Sequence, residues 1–247
     1  MALADLTNVQ LILLALVFVW SGFVRSGIGF GGAALALPLM LLILPDPVVL
    51  IPIIASHFIF FSVLTFVSNP GGVDWRYYGY SQIFLAVPAI LGILGLINFS
   101  SDLLTIIVLL ITFFYGVAYL LQLKISSGNK YSDGLLLILG GYVSGTAMTG
   151  APLIAIVYSR NVAIEKVRNS LFVSFLTIVV AKMLAFKATG VDLQLRYALY
   201  FLPAAAVGHY IGRKLHQKIV SDDASALMRI IGGALIVVTL IGFYRYW

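Results

Sequence analysis

The chain has 247 residues, of which 62% are hydrophobic and only 10% are charged. A soluble domain carries roughly 25% charged residues, so this composition indicates a helical membrane protein whose surface faces lipid. The net charge of +6 is spread between hydrophobic segments instead of forming one patch, which argues against nucleic acid as a partner. Cysteine is absent and the three histidines are scattered, so the sequence predicts no disulfide, no metal site and no cofactor.

Glycine, proline and charged residues divide the sequence into ten apolar segments. A complete membrane crossing needs about 20 residues, so the short second and seventh segments are predicted to be half-helices. The start of the chain lacks the basic residues of a signal peptide, and the first segment is expected to remain as a membrane helix. The segments are 9–26, 30–44, 47–68, 78–98, 102–123, 134–148, 150–160, 165–188, 194–214 and 224–245.

The ten segments form two sets of five that resemble each other. Gly31 in the first set corresponds to Gly150 in the second, and Ser56 corresponds to Ser174. Because five is odd, the second set must enter the membrane from the opposite side, which gives an inverted repeat of the kind found in many transporters. The sequence therefore predicts an all-α polytopic membrane protein with a first repeat at 1–123, a cytoplasmic linker at 124–133 and a second, inverted repeat at 134–247.

The basic residues favour one side of this topology. Eleven of them fall on the side shared by the ends of segments 1, 3, 5, 7 and 9, whereas only Lys187, Arg196 and Arg245 fall on the other. Basic residues concentrate on the cytoplasmic side of a membrane. We therefore expect an integral protein of the cell (inner) membrane with both termini on the non-cytoplasmic side.

The run Gly27-Ile28-Gly29-Phe30-Gly31-Gly32 matches the G-x-G-x-x-G pattern of dinucleotide-binding proteins. That pattern requires a preceding strand, whereas here a segment of membrane length precedes it. Each glycine costs about 1 kcal/mol of helix stability relative to alanine, so four in six residues predict a local unwinding and a new helix near Ala33. The counterpart Gly145–Pro152, GTAMTGAP, suits a second helix start because proline is tolerated in a first turn. Close helix packing explains other glycines, in particular the pair Gly208-x-x-x-Gly212.

Two interrupted helices at matching positions of two repeats indicate a transporter's substrate site. A helix N-terminus has unpaired N–H groups and a partial positive charge, so such ends near mid-membrane would bind a small anion. All nine carboxylates lie at segment ends or in loops, which argues against a cation exchanger. The sequence shows no nucleophile–base pair and no paired carboxylates, and we predict that the protein is not an enzyme.

At these two motifs the sequence resembles the sulfite exporter TauE/SafE family, whose members carry a G-x-G-G-G-x-x-x-x-P run in each half. The first copy, SGIGFGGAALALP, ends at Pro38 and is a close match, with Ala33 in place of the last glycine. The second, SGTAMTGAPLIAI, has Thr146, Met148 and Thr149 where further glycines are usual. The resemblance implies a transporter of sulfite or small organosulfur anions, often sulfonates.

Polar residues within the apolar segments complete the predicted site. Ser56 and Ser174 are candidate symmetry-related donors to one anion, although a hydroxyl can equally bond to its own helix. Three charged or proton-linked candidates also have a structural alternative. Arg25 can be a residue at the cytoplasmic edge, and His57 can be a histidine packed between helices. Lys182 can extend its side chain to a membrane interface. The substrate-binding candidates are Gly27, Gly29, Gly31, Gly32, Ser56, Thr146, Thr149, Gly150, Asn169 and Ser174, and the charged or proton-linked candidates are Arg25, His57 and Lys182.

The predicted function is a secondary transporter that moves sulfite or an organosulfur anion, such as a sulfonate, by alternating access. A passive anion channel and a transporter of another small carboxylate or oxyanion are the alternatives. The expected partners are a small anionic substrate and membrane lipid, with a homo-oligomer as a further option for assembly.

Overall fold

A computed structural model describes residues 3–28, 31–68, 70–123, 128–221 and 224–246. These residues form ten α-helices and two short 3-10 helices, Leu3–Asp5 and Pro70–Gly72, with no strand among them. The α-helices are α1 (Asn8–Gly27), α2 (Gly32–Leu41), α3 (Pro47–Ser68), α4 (Trp75–Asn98), α5 (Ser101–Leu120), α6 (Lys130–Ala147), α7 (Ala151–Asn161), α8 (Ile164–Ala188), α9 (Leu195–Ser221) and α10 (Ala224–Tyr246).

Each predicted segment corresponds to one helix, so the all-α architecture is confirmed. Among the described residues, six helices are long and apolar enough to cross a membrane, namely α1, α3, α4, α5, α8 and α10. Helices α2 and α7 are short, as predicted, with 10 and 11 residues. The largest difference in bounds is at α9, which continues to Ser221 instead of ending at 214. Charged residues end an apolar segment there without ending the helix, because arginine, lysine and glutamine are good helix formers.

The helices group into two compact units, and each unit draws on both halves of the sequence. The first unit comprises Met1–Leu50, Ser100–Lys124 and Leu199–Trp247, and the second comprises Ile51–Phe99 and Ile125–Ala198. The two units are defined by which helices are in contact. The predicted repeat is defined by similarity between the two halves of the sequence, so the units do not test it. The repeat and its linker therefore stay a prediction.

In the first unit, glycines bring α1 and α9 into backbone contact. A Cβ added at Gly208 would overlap the Val19 carbonyl oxygen, and one at Gly212 would lie 2.5 Å from the Phe23 carbonyl oxygen. The packing role predicted for Gly208 and Gly212 is thus confirmed. Helices α5 and α10 approach in the same way, since a Cβ at Gly116 would lie 3.0 Å from the carbonyl oxygen of Gly232.

The second unit contains an equivalent pair, α4 and α6. A Cβ at Gly141 would lie 2.7 Å from the Leu85 carbonyl oxygen, and one at Gly145 would overlap the Ala89 carbonyl oxygen. On the facing helix, a Cβ at Gly92 would lie 2.8 Å from the Thr146 nitrogen. Because the groups contacted are backbone atoms, no side-chain rotation can make room for a larger residue. Small residues at helix contacts are the main means by which membrane helices pack closely.

We expect Gly145→Ala to lower the melting temperature of the detergent-purified protein, because the new methyl group must displace the α4 backbone, at a cost of about 1–3 kcal/mol. Gly79→Ala is the matched control, since Gly79 lies within α4 with nothing within 4 Å of an added Cβ. Alanine favours a helix over glycine, so this variant should melt at the same temperature or higher. Equal melting temperatures for the two variants would contradict the packing interpretation.

Candidate functional site

The first unit contains a helix break between α1 and α2. Helix α1 ends at Gly27, and Gly31, with φ of +80°, precedes the first residue of α2, Gly32. Glycine adopts this left-handed conformation without steric cost, so the helix start predicted near Ala33 is confirmed within one residue. Helix α2 packs against α1, and the Ser21 hydroxyl of α1 donates to the Gly32 carbonyl of α2 at 3.4 Å. The predicted site residue Gly29 lies outside the described residues.

Polar side chains surround the end of α1. Arg25 is only 5% exposed and lies in the last turn of the helix. Two histidines of α9 contact the same turn: His216 donates from Nδ1 to the Gly27 carbonyl at 2.7 Å, and His209 Nδ1 lies 2.5 Å from Ser26 Oγ. The α1–α2 break therefore lies among buried polar groups of its own unit.

The second unit contains the corresponding break between α6 and α7. Helix α6 ends at Ala147, and the next residue, Met148, has a left-handed φ of 57° and donates its N–H to the Ser144 carbonyl at 3.1 Å. Helix α7 begins after Gly150 with Pro152 in its first turn, as predicted, and no side chain caps its N-terminus. Every residue from 144 to 150 is buried. The break is thus complete although methionine stands where the family motif has glycine.

Helix α7 returns along α6, so the two helices form a hairpin with the break at its tip. A Cβ at Gly150 would overlap the Gly140 carbonyl oxygen, and one at Gly140 would lie 2.6 Å from Ile154 Cγ1. At the other end, Arg160 forms an ion pair with Asp133 at 2.8 Å. The 11 residues of α7 rise about 16 Å, roughly half the hydrocarbon core of a bilayer. Helix α7 is therefore long enough for the tip of the hairpin to lie near the middle of a membrane.

A fully buried lysine of α8 reaches this tip. Lys182 is 0% exposed, and its Nζ donates to the Ser144 carbonyl at 2.9 Å. Within the part of the chain that the structure describes, no carboxylate pairs with it. An ammonium has three N–H donors, so two remain beyond the one bonded to Ser144.

Two hydroxyls at the break are also buried without a partner among the described residues, those of Ser144 and Thr149. A Cβ at Gly150 would overlap Ser144 Oγ, which places this hydroxyl beside the start of α7. The tip thus combines a buried cation, two unused hydroxyls and an uncapped helix N-terminus. All of these groups donate hydrogen bonds, and together they suit a small oxyanion.

Ser174 lies in a different polar cluster, which we call the tyrosine cluster. Its members are Tyr158, Ser81, Ser174 and Gln82. The hydroxyl of Tyr158, a fully buried residue, contacts both Ser174 Oγ and, at 2.6 Å, Ser81 Oγ, and Gln82 Nε2 donates to Ser174 Oγ at 3.5 Å. Ser174 precedes Lys182 by eight residues of α8, or about 12 Å along its axis. The structure therefore brings Lys182 and Thr149 to the break and Ser174 to the tyrosine cluster.

The remaining predicted side chains each have different neighbours. The Thr146 hydroxyl donates to the Tyr142 carbonyl of its own helix at 2.9 Å. His57 donates from Nε2 to the Ala198 carbonyl at 2.7 Å, while the neighbouring Ser56 hydroxyl is buried without a partner among the described residues. Asn169 is half-buried on α8, on the Ser174 side of Lys182.

Ser144 and Tyr158 are not among the site residues predicted from the sequence. The alignment that relates Gly31 to Gly150 also relates Arg25, a predicted site residue, to Ser144. The repeat could therefore have indicated Ser144 as a site residue. Tyr158 carried no comparable signal, because tyrosine in a membrane protein is commonly an interface residue.

The family model for the sulfite exporter TauE/SafE family matches residues 14–243. Comparisons with curated proteins and with solved structures give no match. The matched region contains both helix breaks and all or most of each of the six described helices that are long and apolar enough to cross a membrane. The chain is therefore an integral membrane protein that belongs to the sulfite exporter TauE/SafE family, a family of transporters of sulfite or similar anions.

Proposed function

We propose that this protein carries sulfite or a small organosulfur anion, such as a sulfonate, across the membrane by alternating access, and that the anion binds at the α6–α7 break. Lys182 supplies the positive charge, and Ser144, Thr149 and the first turn of α7 supply hydrogen bonds. The α1–α2 break, with Gly27, Gly31, Gly32 and the buried Arg25, has the equivalent role in its own unit according to the predicted repeat.

The burial of Lys182 is the observation that carries this proposal. A buried charge without a counter-ion costs several kcal/mol, and the single carbonyl bonded to Lys182 offsets only part of that cost. A bound anion would supply the missing counter-charge. An anion transporter needs such a site, because a resident carboxylate would compete with the substrate for the ammonium.

The donors at the break match the acceptors of the proposed substrates. Sulfite and sulfonates present three oxygens around one sulfur atom, and each oxygen accepts hydrogen bonds. The break offers two remaining N–H donors of Lys182 and the hydroxyls of Ser144 and Thr149. Hydrogen bonds between charged partners are about twice as strong as neutral ones, so a few of them would retain a small anion.

The burial of the break supports a carrier over a passive channel. Thr149 and Lys182 are both 0% exposed, so water does not reach these groups in this conformation. An open channel would leave its ion-binding groups in contact with water, whereas an alternating-access carrier passes through states in which they are closed off.

We expect Lys182→Met to abolish stabilisation by sulfite while leaving the ligand-free protein as stable as the wild type or more so. Methionine fills a similar volume, and replacing a buried charge by an apolar side chain is often neutral or stabilising. The measurement is the melting temperature of the purified protein with and without sulfite or a sulfonate. Lys187→Met, which removes an exposed lysine from the same helix, should keep the wild-type response. A full response of Lys182→Met to sulfite would remove this lysine from the site.

Thr149→Val should weaken sulfite binding at least about tenfold, because a hydrogen bond to a charged group contributes about 1.5–3 kcal/mol. Thr146→Val is a closely matched control, since it makes the same change three residues away, at a hydroxyl already bonded to its own helix. Calorimetric titration of both variants with sulfite compares the dissociation constants. Equal affinities in the two variants would show that the Thr149 hydroxyl does not contact the anion.

A carrier should also show exchange. In proteoliposomes, unlabelled sulfite inside the vesicles should accelerate uptake of labelled sulfite, because the loaded site returns across the membrane more readily than the empty one. Lys182→Met should show neither uptake nor acceleration, and Lys187→Met should show both. Uptake that is indifferent to internal sulfite would instead indicate a passive anion channel, and uptake blocked by carboxylates but not by sulfonates would indicate a different oxyanion as substrate.

A further inference from the structure

A cavity of about 300 Å³ lies in the first unit, where the end of α2, the start of α5 and the end of α10 meet. Leu41, Leu42, Pro45 and Leu109 form its apolar wall, and Asp102 and Arg245 are the charged residues that line it. Neither charge has a role in the proposed transport site.

The cavity lies at the edge of the membrane-spanning region. Asp102 is in the first turn of α5, whose candidate span is Ser101–Leu120, and Arg245 is the last residue of the candidate span of α10, Met228–Arg245. The ends of spanning helices lie where lipid headgroups replace hydrocarbon. Both charged residues are exposed and therefore accessible from that layer.

The two charges line one cavity without pairing with each other. Among the described residues, neither Asp102 nor Arg245 forms an ion pair. Arg245 donates from Nη1 to the Leu42 carbonyl, which fixes the guanidinium at the cavity while leaving its other donors for a ligand.

Two polar side chains near the charged pair are already engaged in hydrogen bonds, and the carboxylate among them, Asp46, does not line the cavity. Asp46 accepts hydrogen bonds from Ser101 Oγ at 3.0 Å and from the Val48 N–H at 3.1 Å, within the turn between α2 and α3. The Thr105 hydroxyl donates to the Ser101 carbonyl at 2.8 Å. The cavity therefore offers one carboxylate acceptor and one guanidinium donor above an apolar wall.

We propose that this cavity binds the headgroup of a phosphatidylethanolamine lipid. The phosphate matches the guanidinium of Arg245, since arginine donates to phosphate through two parallel N–H groups. The primary ammonium of the same headgroup donates N–H groups to Asp102, and the start of the acyl chains lies against the leucines. A phosphatidylcholine headgroup has no N–H to donate, and phosphatidylglycerol has no cation, so the pairing selects the ethanolamine headgroup.

The test is lipid retention by the full-length protein, measured by native mass spectrometry after addition of equal amounts of phosphatidylethanolamine, phosphatidylcholine and phosphatidylglycerol with identical acyl chains. Wild-type protein should retain phosphatidylethanolamine preferentially. Asp102→Asn and Arg245→Gln should each reduce that preference about tenfold. Asp192→Asn and Arg196→Gln are the matched controls, with the same charge changes in the second unit, and should retain it.

Free phosphoethanolamine distinguishes a lipid from a soluble ligand with the same headgroup. It should compete with the lipid only at a large excess, because it lacks the acyl chains that lie against the apolar wall. Equal competition at equimolar concentration would overturn the assignment to a lipid. Equal retention of the three lipids by the wild type, or a preference for phosphatidylglycerol, would overturn the zwitterionic site altogether.

Discussion

The structure of this protein depends on one constraint, which is that backbone N–H and carbonyl groups inside a bilayer must be paired or shielded by protein. The α6–α7 break leaves such groups unpaired by helical hydrogen bonds, and close packing is what shields them. Gly140 and Gly150 allow α7 to lie directly against α6, and Gly141 and Gly145 allow α4 to pack closely against α6 as well. A larger residue at these positions would clash with the facing helix.

The same constraint explains why a charged residue is present at the break. The Ser144 carbonyl, in the last turn of α6, accepts from both the Met148 N–H and the Lys182 ammonium. Lys182 thus helps to satisfy the end of a helix inside the membrane, and its position there also makes it available to an anion. The proposed substrate would complete the hydrogen bonding that the protein leaves incomplete at Lys182, Ser144 and Thr149.

The second glycine motif still forms a helix break, although Met148 stands where the family motif has glycine. Met148 adopts the left-handed conformation, which costs a non-glycine residue about 1–2 kcal/mol, and its bond to Ser144 and the burial of the whole turn hold it there. The two units also share a pattern in which glycines join helices from different halves of the chain, α1 with α9 and α4 with α6. The predicted repeat pairs α1 with α6 and α4 with α9, and it would therefore relate these two contacts to each other.

The sequence by itself determined the number, type and approximate bounds of the helices, the two breaks and the family, because apolar length, glycine and proline act locally. It also indicated Lys182 and Thr149 as candidates, since polar groups in apolar segments are few. Only the tertiary structure decided which polar groups meet. It brought Lys182 to Ser144 and Ser174 to Tyr158, which are pairs of residues 38 and 16 positions apart in the chain. It also grouped Asp102 with Arg245 across the ends of two distant helices. Such pairings depend on how helices rotate and pack against one another, and no local pattern of residues encodes that.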